Sequence, residues 1–434
     1  MFAYYLALAW IALRRRWGLT ALMVLTIGFG VAAAMTTFAV FRAVSGDPIP
    51  WKSSKLFVPQ IGLANSQNGR ATDEPPDQLS YPDVMELTRD DRAVHQSALY
   101  SIGVSIVPKS TDQHPFYVSG HAVLAQFFPM LDVPFQYGSS WGSSDDQSRA
   151  PVVVISSHLN DALFGGVNSI GYNVQINGSD YRVVGVTDHW NPEPRYYDVV
   201  NSAGFTTLQD DVLIPLPSAI GAGINNAGRT DCPAGRPEGG FAGLQHSSCR
   251  WLSYMAELDT SAQVIDYKSY LDAFARARMS ITASPNIRLR SLPEWLDYKH
   301  VVPADTKVSL LVAFGLFLVC LVNASGLLLA KLMGRASEVG VRRAIGAPRS
   351  AIYLQFVIES GMIGLVGGIL GMVLTALGVL AMRQLLPPQI APLAHFDLAL
   401  FALTLTMALI ATVLAGLYPS FRAASLQPAM HLKS

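Results

Sequence analysis

The residues best equipped for specific chemistry lie in one short basic segment, residues 335–349, RASEVGVRRAIGAPR. Arg335, Arg342, Arg343 and Arg349 surround a single acid, Glu338, with Val339, Val341 and Ile345 set among the charges. Cationic and apolar groups alternating in this way suit either a solvated loop beside a membrane or a helical element that docks a partner protein. Gly346 and Pro348 break the helical pattern at its end. Ten residues beyond Arg349 stands Glu359, an acid inside an otherwise apolar stretch. Its charge is costly at bilayer depth, so it reads as a carboxylate paired with Arg349 or the basic segment; a proton relay is the competing reading. Cys232 and Cys249 bracket a Gly/Pro-rich stretch (CPAGRPEGGFAGLQHSSC). A loop-closing disulfide, two free thiols or a metal pair with His246 are the alternatives there.

Conventional catalytic constellations are missing from the sequence pattern. His121, His158, His189, His246 and Ser156 are scattered without nucleophile or metal-ligand spacing. Each of these histidines reads as a surface or packing residue. Asp188-His189-Trp190 is a short polar-aromatic patch, read as a loop anchor or part of a partner surface. No G-x-x-x-x-G-K-[ST] loop occurs, so no phosphate cradle for ATP is visible. No metal site is expected, and none of these residues points to a cofactor held by this chain.

The elements that must position the basic segment are apolar. Four stretches, at 19–41, 308–330, about 351–382 and 398–421, are each long enough to cross a bilayer as a helix. Only 14% of the 434 residues are charged, and the formal net charge is zero, which excludes a nucleic-acid partner on bulk electrostatics. Arg14, Arg15 and Arg16 precede the first stretch, the basic segment joins the second to the third, and Arg422 and Lys433 follow the fourth. By the positive-inside rule both termini and the segment around Gly340 are cytoplasmic, and the large polar block is outside. The uncharged run after the arginine triplet is about 23 residues, longer than the ~7–15 of a signal peptide, so it reads as a span. Residues 2–13 read as an interfacial helix.

The expected organisation is therefore residues 1–44 (interfacial helix and first span), 45–306 (outer domain) and 307–434 (three spans, basic segment and tail). Within the outer domain, 152–155 suits a buried strand, 158–164 a helix stopped by Gly165 and Gly166, and 172–183 a hairpin turning at Asn177-Gly178. Further helices are expected from Val84 to Leu87, around 122–131 and over 261–278, with a strand at 286–292. In the third span Gly364, Gly367, Gly368 and Gly371 form overlapping G-x-x-x-G patterns, which let helices approach closely. They serve packing within one subunit or a seam between two.

The basic segment closely resembles the E-[IV]-G-[IV]-R-[RK]-A-[IL]-G-A signature of MacB/FtsX-type ABC transporter permeases. GLYPSFRAASLQPAMHL at 416–432 is similar to that family's closing motif, and residues 79–83 and 151–186 resemble parts of its extracytoplasmic core domain. The resemblance implies four transmembrane helices with a large mixed α+β periplasmic domain between the first and second. It implies an ATPase-coupling role for Glu338, Gly340, Arg342, Arg343, Gly346 and Ala347. It also implies a cytoplasmic ABC ATPase partner that supplies ATP and Mg, with only about 18 residues ahead of the first span pointing to a separate chain as the motor. The further expectations are a homodimer or a heterodimer with a related permease, a periplasmic adaptor with an outer-membrane channel, and residence in a bacterial inner membrane. The function implied is efflux of peptide, antibiotic or lipidic cargo by mechanotransmission. An FtsX-like regulator of cell-wall hydrolases and a LolC-like lipoprotein-release subunit are the alternatives.

Overall fold

The computed structural model describes the chain except for residues 1–10, 12, 15–16, 65–73, 109–113, 203–208, 279–283, 303, 336–338, 343–344, 347, 386–396 and 425–434. Two compact units result. One comprises Met1–Gly46 with Val302–Ser434, and the other Asp47–Val301.

Among the described residues the first unit holds four helices long and apolar enough to cross a membrane: Trp17–Ser45, Ala304–Met333, Arg349–Leu385 and Leu398–Ala424. The third has 37 residues. At 1.5 Å per residue it is about 55 Å long, against roughly 30 Å of hydrocarbon, so its ends extend past the apolar slab. Glycines allow its close packing on two neighbours. A Cβ added at Gly367 or Gly371 would meet Ile27 or Val31 of the first helix, at 3.1 Å in each case. One added at Gly364 would fall 1.9 Å from Thr412 Oγ1 of the fourth, and one at Gly368 3.0 Å from Ala408 Cβ. All four glycines thus face helices of the same chain. Arg42 of the first helix pairs with Asp397 ahead of the fourth.

The second unit is built, among the described residues, on one eleven-stranded sheet whose main path runs β11-β1-β10-β3-β4-β9-β6-β8-β5. Its strands are β1 (Leu56–Ala64), β2 (Leu79–Ser80), β3 (His95–Val107), β4 (Phe116–Val123), β5 (Phe135–Gly138), β6 (Val152–Ser156), β7 (Asn173–Ile176), β8 (Ser179–Thr187), β9 (Asp210–Pro215), β10 (Arg250–Glu257) and β11 (Ser284–Ser291). β2 pairs with β10, and β7 with β3 and β8. Most neighbours are antiparallel, but β4 pairs parallel with β9 and β6 parallel with β8. The strand period of two divides the apolar residues between two cores. In the fully buried β6, Val153 and Ile155 enter one core while Val152 and Val154 enter the other. Such a strand reads as a continuous apolar run because both faces are covered.

Local chemistry accounts for several elements. Ser80 accepts from Asp83 N, with Pro82 in the first turn, and starts the helix Tyr81–Asp90. Ser156 caps Ser157–Phe164, which ends at Gly165 with φ +68°. Asn177 and Gly178, at φ +48° and +85°, turn β7 into β8. The helix expected around 122–131 is corrected. Residues Phe116–Val123 are a strand, with a helix only over Phe127–Leu131. Pairing of β4 with both β3 and β9 supplies its backbone partners, and the aromatic and β-branched side chains of FYVSGHAV suit a strand. Cys232 and Cys249 form a disulfide. Beside it Asp231 and Arg250 exchange backbone hydrogen bonds of 2.9 and 2.7 Å, so the bond closes the loop where it meets β10.

Candidate functional site

The basic segment is held along the first turns of the third helix. On that helix Ile352, Gln355, Phe356, Glu359 and Ile363 recur at helical spacing and are all buried. Residues 339–342 are helical, and Val339 packs with Ile352 and Phe356. Arg342 NH1 donates to Gln355 Oε1 at 3.0 Å, and Arg335 NH1 donates to Glu359 Oε2 at 3.1 Å. The segment therefore runs antiparallel to the helix, clamped at two positions one turn apart.

Glu359 is the centre of this clamp. Lys331, at the end of the second helix, places Nζ 2.7 Å from Glu359 Oε1. That contact is an ion pair and not an aligned hydrogen bond. Lys331 also donates to Thr20 Oγ1 of the first helix at 3.3 Å. Side-chain exposures of 1% for Lys331, 4% for Glu359 and 14% for Arg335 make this a desolvated cluster, not a surface pair. Glu359 thus ties the second and third helices to the basic segment, and Lys331 extends the tie to Thr20 of the first. The expected partner Arg349 is exposed and does not join it. Ten residues along the same helix separate the two, about 15 Å of rise; Lys331 is brought in by helix packing.

The remaining residues expected at this site fall differently. Gly346 has φ +104°, a conformation that glycine adopts without strain, and it precedes the turn in which Pro348 O accepts from Ala351 N at 3.1 Å. A Cβ at Gly340 would meet nothing within 4 Å. Val341 and Ile345 expose apolar side chains, Ile345 to 82%. Glu338, Arg343 and Ala347 lie outside the described residues, as do most of residues 2–13.

A second charged cluster lies in the sheet domain, and it corrects the reading of His121 as a lone packing residue. His121 is buried on β4. Its Nδ1 is 2.7 Å from Asp210 Oδ2 and its Nε2 is 2.8 Å from Asp198 Oδ2. Arg195 approaches Asp210 Oδ1 at 3.1 Å, and Tyr197 OH donates to Asp210 Oδ2 at 2.6 Å. Burial pushes the imidazole down, but the two carboxylates outweigh it and raise its pKa to about 9. Burial likewise pushes Asp210 up, and the charges of His121 and Arg195 outweigh that and lower it to about 2. Ser101 Oγ lies 3.2 Å from His121 Nε2, which resembles a Ser-His-Asp relay. Asp198 defeats that relay by accepting from both Ser101 Oγ, at 2.7 Å, and His121 Nε2. An imidazolium with a carboxylate on each nitrogen has no lone pair to take the serine proton. The partners stand 77 and 89 residues from His121 in the chain, so no local spacing signals the cluster.

A family model described as MacB-like periplasmic core domain matches residues 20–248, and one described as FtsX-like permease C-terminal matches residues 310–428. The macrolide export ATP-binding/permease protein MacB of Azoarcus sp. is 24% identical over 428 residues, covering 98% of this chain and 58% of that protein. The uncharacterized ABC transporter permease YvrN of Bacillus subtilis is 23% identical over 433 residues, covering 94% of this chain and 93% of that protein. The crystal structure of the periplasmic region of MacB from Actinobacillus actinomycetemcomitans aligns at 13% identity and TM-score 0.37, over 58% of this chain and 96% of that one. The chain spans about half the length of the MacB relatives from Azoarcus and Rhodopirellula baltica.

Proposed function

Because the chain belongs to the MacB/FtsX-type ABC transporter permeases, we propose that it is the membrane subunit of an exporter whose cytoplasmic ATPase, carried on a separate chain, drives motion of the domain Asp47–Val301. The observation that carries this reading is the clamp at Glu359, which joins the basic segment to the second and third helices. A nucleotide-driven push on residues 335–349 then moves helices and not a loose loop. The exposed Ile345 and Val341 beside Arg342 offer an apolar and cationic face suited to a groove on the ATPase. The excess of Lys and Arg at this end supports a cytoplasmic segment and cytoplasmic termini, with the sheet domain in the periplasm.

In this scheme two permease copies act together, and cargo is expelled on the periplasmic side without crossing through the bundle. Peptide, macrolide-like or lipidic molecules are the cargo classes, and a periplasmic adaptor and outer-membrane channel complete the route. ATP and Mg belong to the ATPase, since the 434 residues contain no P-loop. The test is copurification in mild detergent. An ATPase should accompany the chain in equimolar amount, and Arg342→Glu with Arg343→Glu should loosen it. Unchanged ATPase stoichiometry in that double variant refutes the docking role.

A further inference from the structure

The charged cluster around His121 forms the floor of a cavity of about 390 Å³ in the sheet domain. That volume lies within the roughly 300–1,000 Å³ usual for small-ligand sites. The lining mixes apolar surface from Ile102, Tyr117 and Ala227 with polar groups, the hydroxyls of Ser101, Ser119 and Ser202 and the amide of Asn201. These polar groups donate inward, Ser101 and Asn201 to the Asp198 carboxylate, Ser202 to Asp198 O and Ser119 to Gln209 O. Their oxygens are left as acceptors toward the cavity. Buried ion clusters of this kind cost several kcal/mol per ion in desolvation, and apolar packing serves stability at least as well. Perturbed, buried ionisable groups lining a cleft are a signature of binding or chemistry, and the Asp198 contact removes the nucleophilic reading. Binding remains.

The charges in the lining select the ligand. His121, Arg195 and Arg229 are cationic, against the two carboxylates of Asp198 and Asp210. The aspartates are engaged by His121, Arg195, Ser101 and Tyr197, so the floor is internally compensated. The excess positive charge falls to Arg229, which is exposed at the rim. Its backbone is anchored, N–H to Asn201 Oδ1 at 2.7 Å and C=O from Asn226 Nδ2 at 3.1 Å. Its guanidinium makes no ion pair among the described residues. A planar guanidinium at the rim of a cavity that presents hydroxyl and amide oxygens matches a carboxylate whose neighbouring group donates hydrogen bonds.

We propose that this cavity binds a small organic carboxylate carrying an adjacent N–H or O–H group, with Arg229 taking the carboxylate and Ser202 Oγ and Asn201 Oδ1, whose own donors are engaged by Asp198, accepting from the neighbouring N–H or O–H. The site is independent of the ATPase-coupling reading. The test uses the full chain in lipid nanodiscs and ligand-observed NMR, with N-acetylglycine as the anionic probe and N-acetylglycinamide as its neutral counterpart. N-acetylglycine should bind saturably, at least tenfold more tightly than the amide. Arg229→Ala, at an exposed position, should weaken it at least tenfold and leave the melting temperature unchanged. Ala227→Trp at the rim should block the probe without altering the His121 floor. Equal binding of the two probes, unaltered binding to Arg229→Ala, or no saturable binding to the wild-type chain each overturns the proposal.

Discussion

Replacing Glu359 with alanine tests the clamp most directly. The carboxylate faces Lys331 at 2.7 Å and Arg335 at 3.1 Å, with both lysine and glutamate almost wholly withdrawn from solvent. Removing one member of a buried pair leaves an uncompensated charge and costs about 3–5 kcal/mol. Lys331 keeps its bond to Thr20, and Arg335 is the more exposed partner, which places the cost near the lower bound, about 3 kcal/mol. For a unit of this size that corresponds to a drop of roughly 6–12 °C in melting temperature. Cys320 gives a local readout, since it is the free cysteine among the described residues and packs against Gly30 of the first helix. A thiol-reactive fluorogenic dye therefore reports opening of the helix bundle in the non-reduced chain. Glu359→Gln should fall between the alanine variant and wild type. A double variant, Glu359→Gln with Lys331→Met, should be less destabilised than the sum of its single changes, because the second removes the stranded charge. The alanine variant should also retain its ATPase while hydrolysis no longer responds to the permease. Melting within about 1 °C of wild type, or strict additivity in the double variant, refutes the reasoning.

Gly364→Ala should lower the same melting temperature by an amount corresponding to about 1–3 kcal/mol, because the new methyl meets Thr412, whose hydroxyl donates to Ala408 O. Gly361→Ala, with nothing within 4 Å of the added carbon, should be neutral or slightly stabilising in that dye assay. The sheet domain should lose stability as pH rises. The folded pKa of His121 is raised from 6.5 to about 9, so its contribution is complete below pH 6.5 and is lost as pH passes through 9. The loss should be roughly 3 kcal/mol from the linkage relation, read by near-ultraviolet dichroism melts between pH 6 and 10, and His121→Asn should flatten the profile. A wild-type profile already flat over that range would show that the two carboxylates do not hold the imidazolium.

The legible parts of this protein are those decided by local composition. Four apolar runs, three of them uncharged and the third carrying only Glu359, announced the helices because a bilayer tests each segment by length and hydropathy. The turn at Asn177-Gly178 and the stop at Gly165 were legible because positive φ is a property of one or two residues. The segment 335–349 carried its family pattern within fifteen neighbouring positions. The helix expected around 122–131 begins only at Phe127, because pairing of β4 with β3 and β9 is a long-range condition that claims residues up to Val123 for the sheet. Partner choice at Glu359 was half legible: pairing with the basic segment was expected and Arg335 supplies it, but Lys331 lies 28 positions away, and only the packing of the second helix on the third brings it to 2.7 Å.

Sequence by itself thus determined the class, the number of crossings and the location of the basic segment, since hydropathy and charge act residue by residue. Tertiary structure alone decided which charges meet. His121 with Asp198 and Asp210, and Glu359 with Lys331, are contacts between distant stretches, and within the basic segment it was the packing that selected Arg335 over Arg349 for Glu359. Their electrostatics depend on burial and on separations of a few ångströms, which no linear spacing encodes.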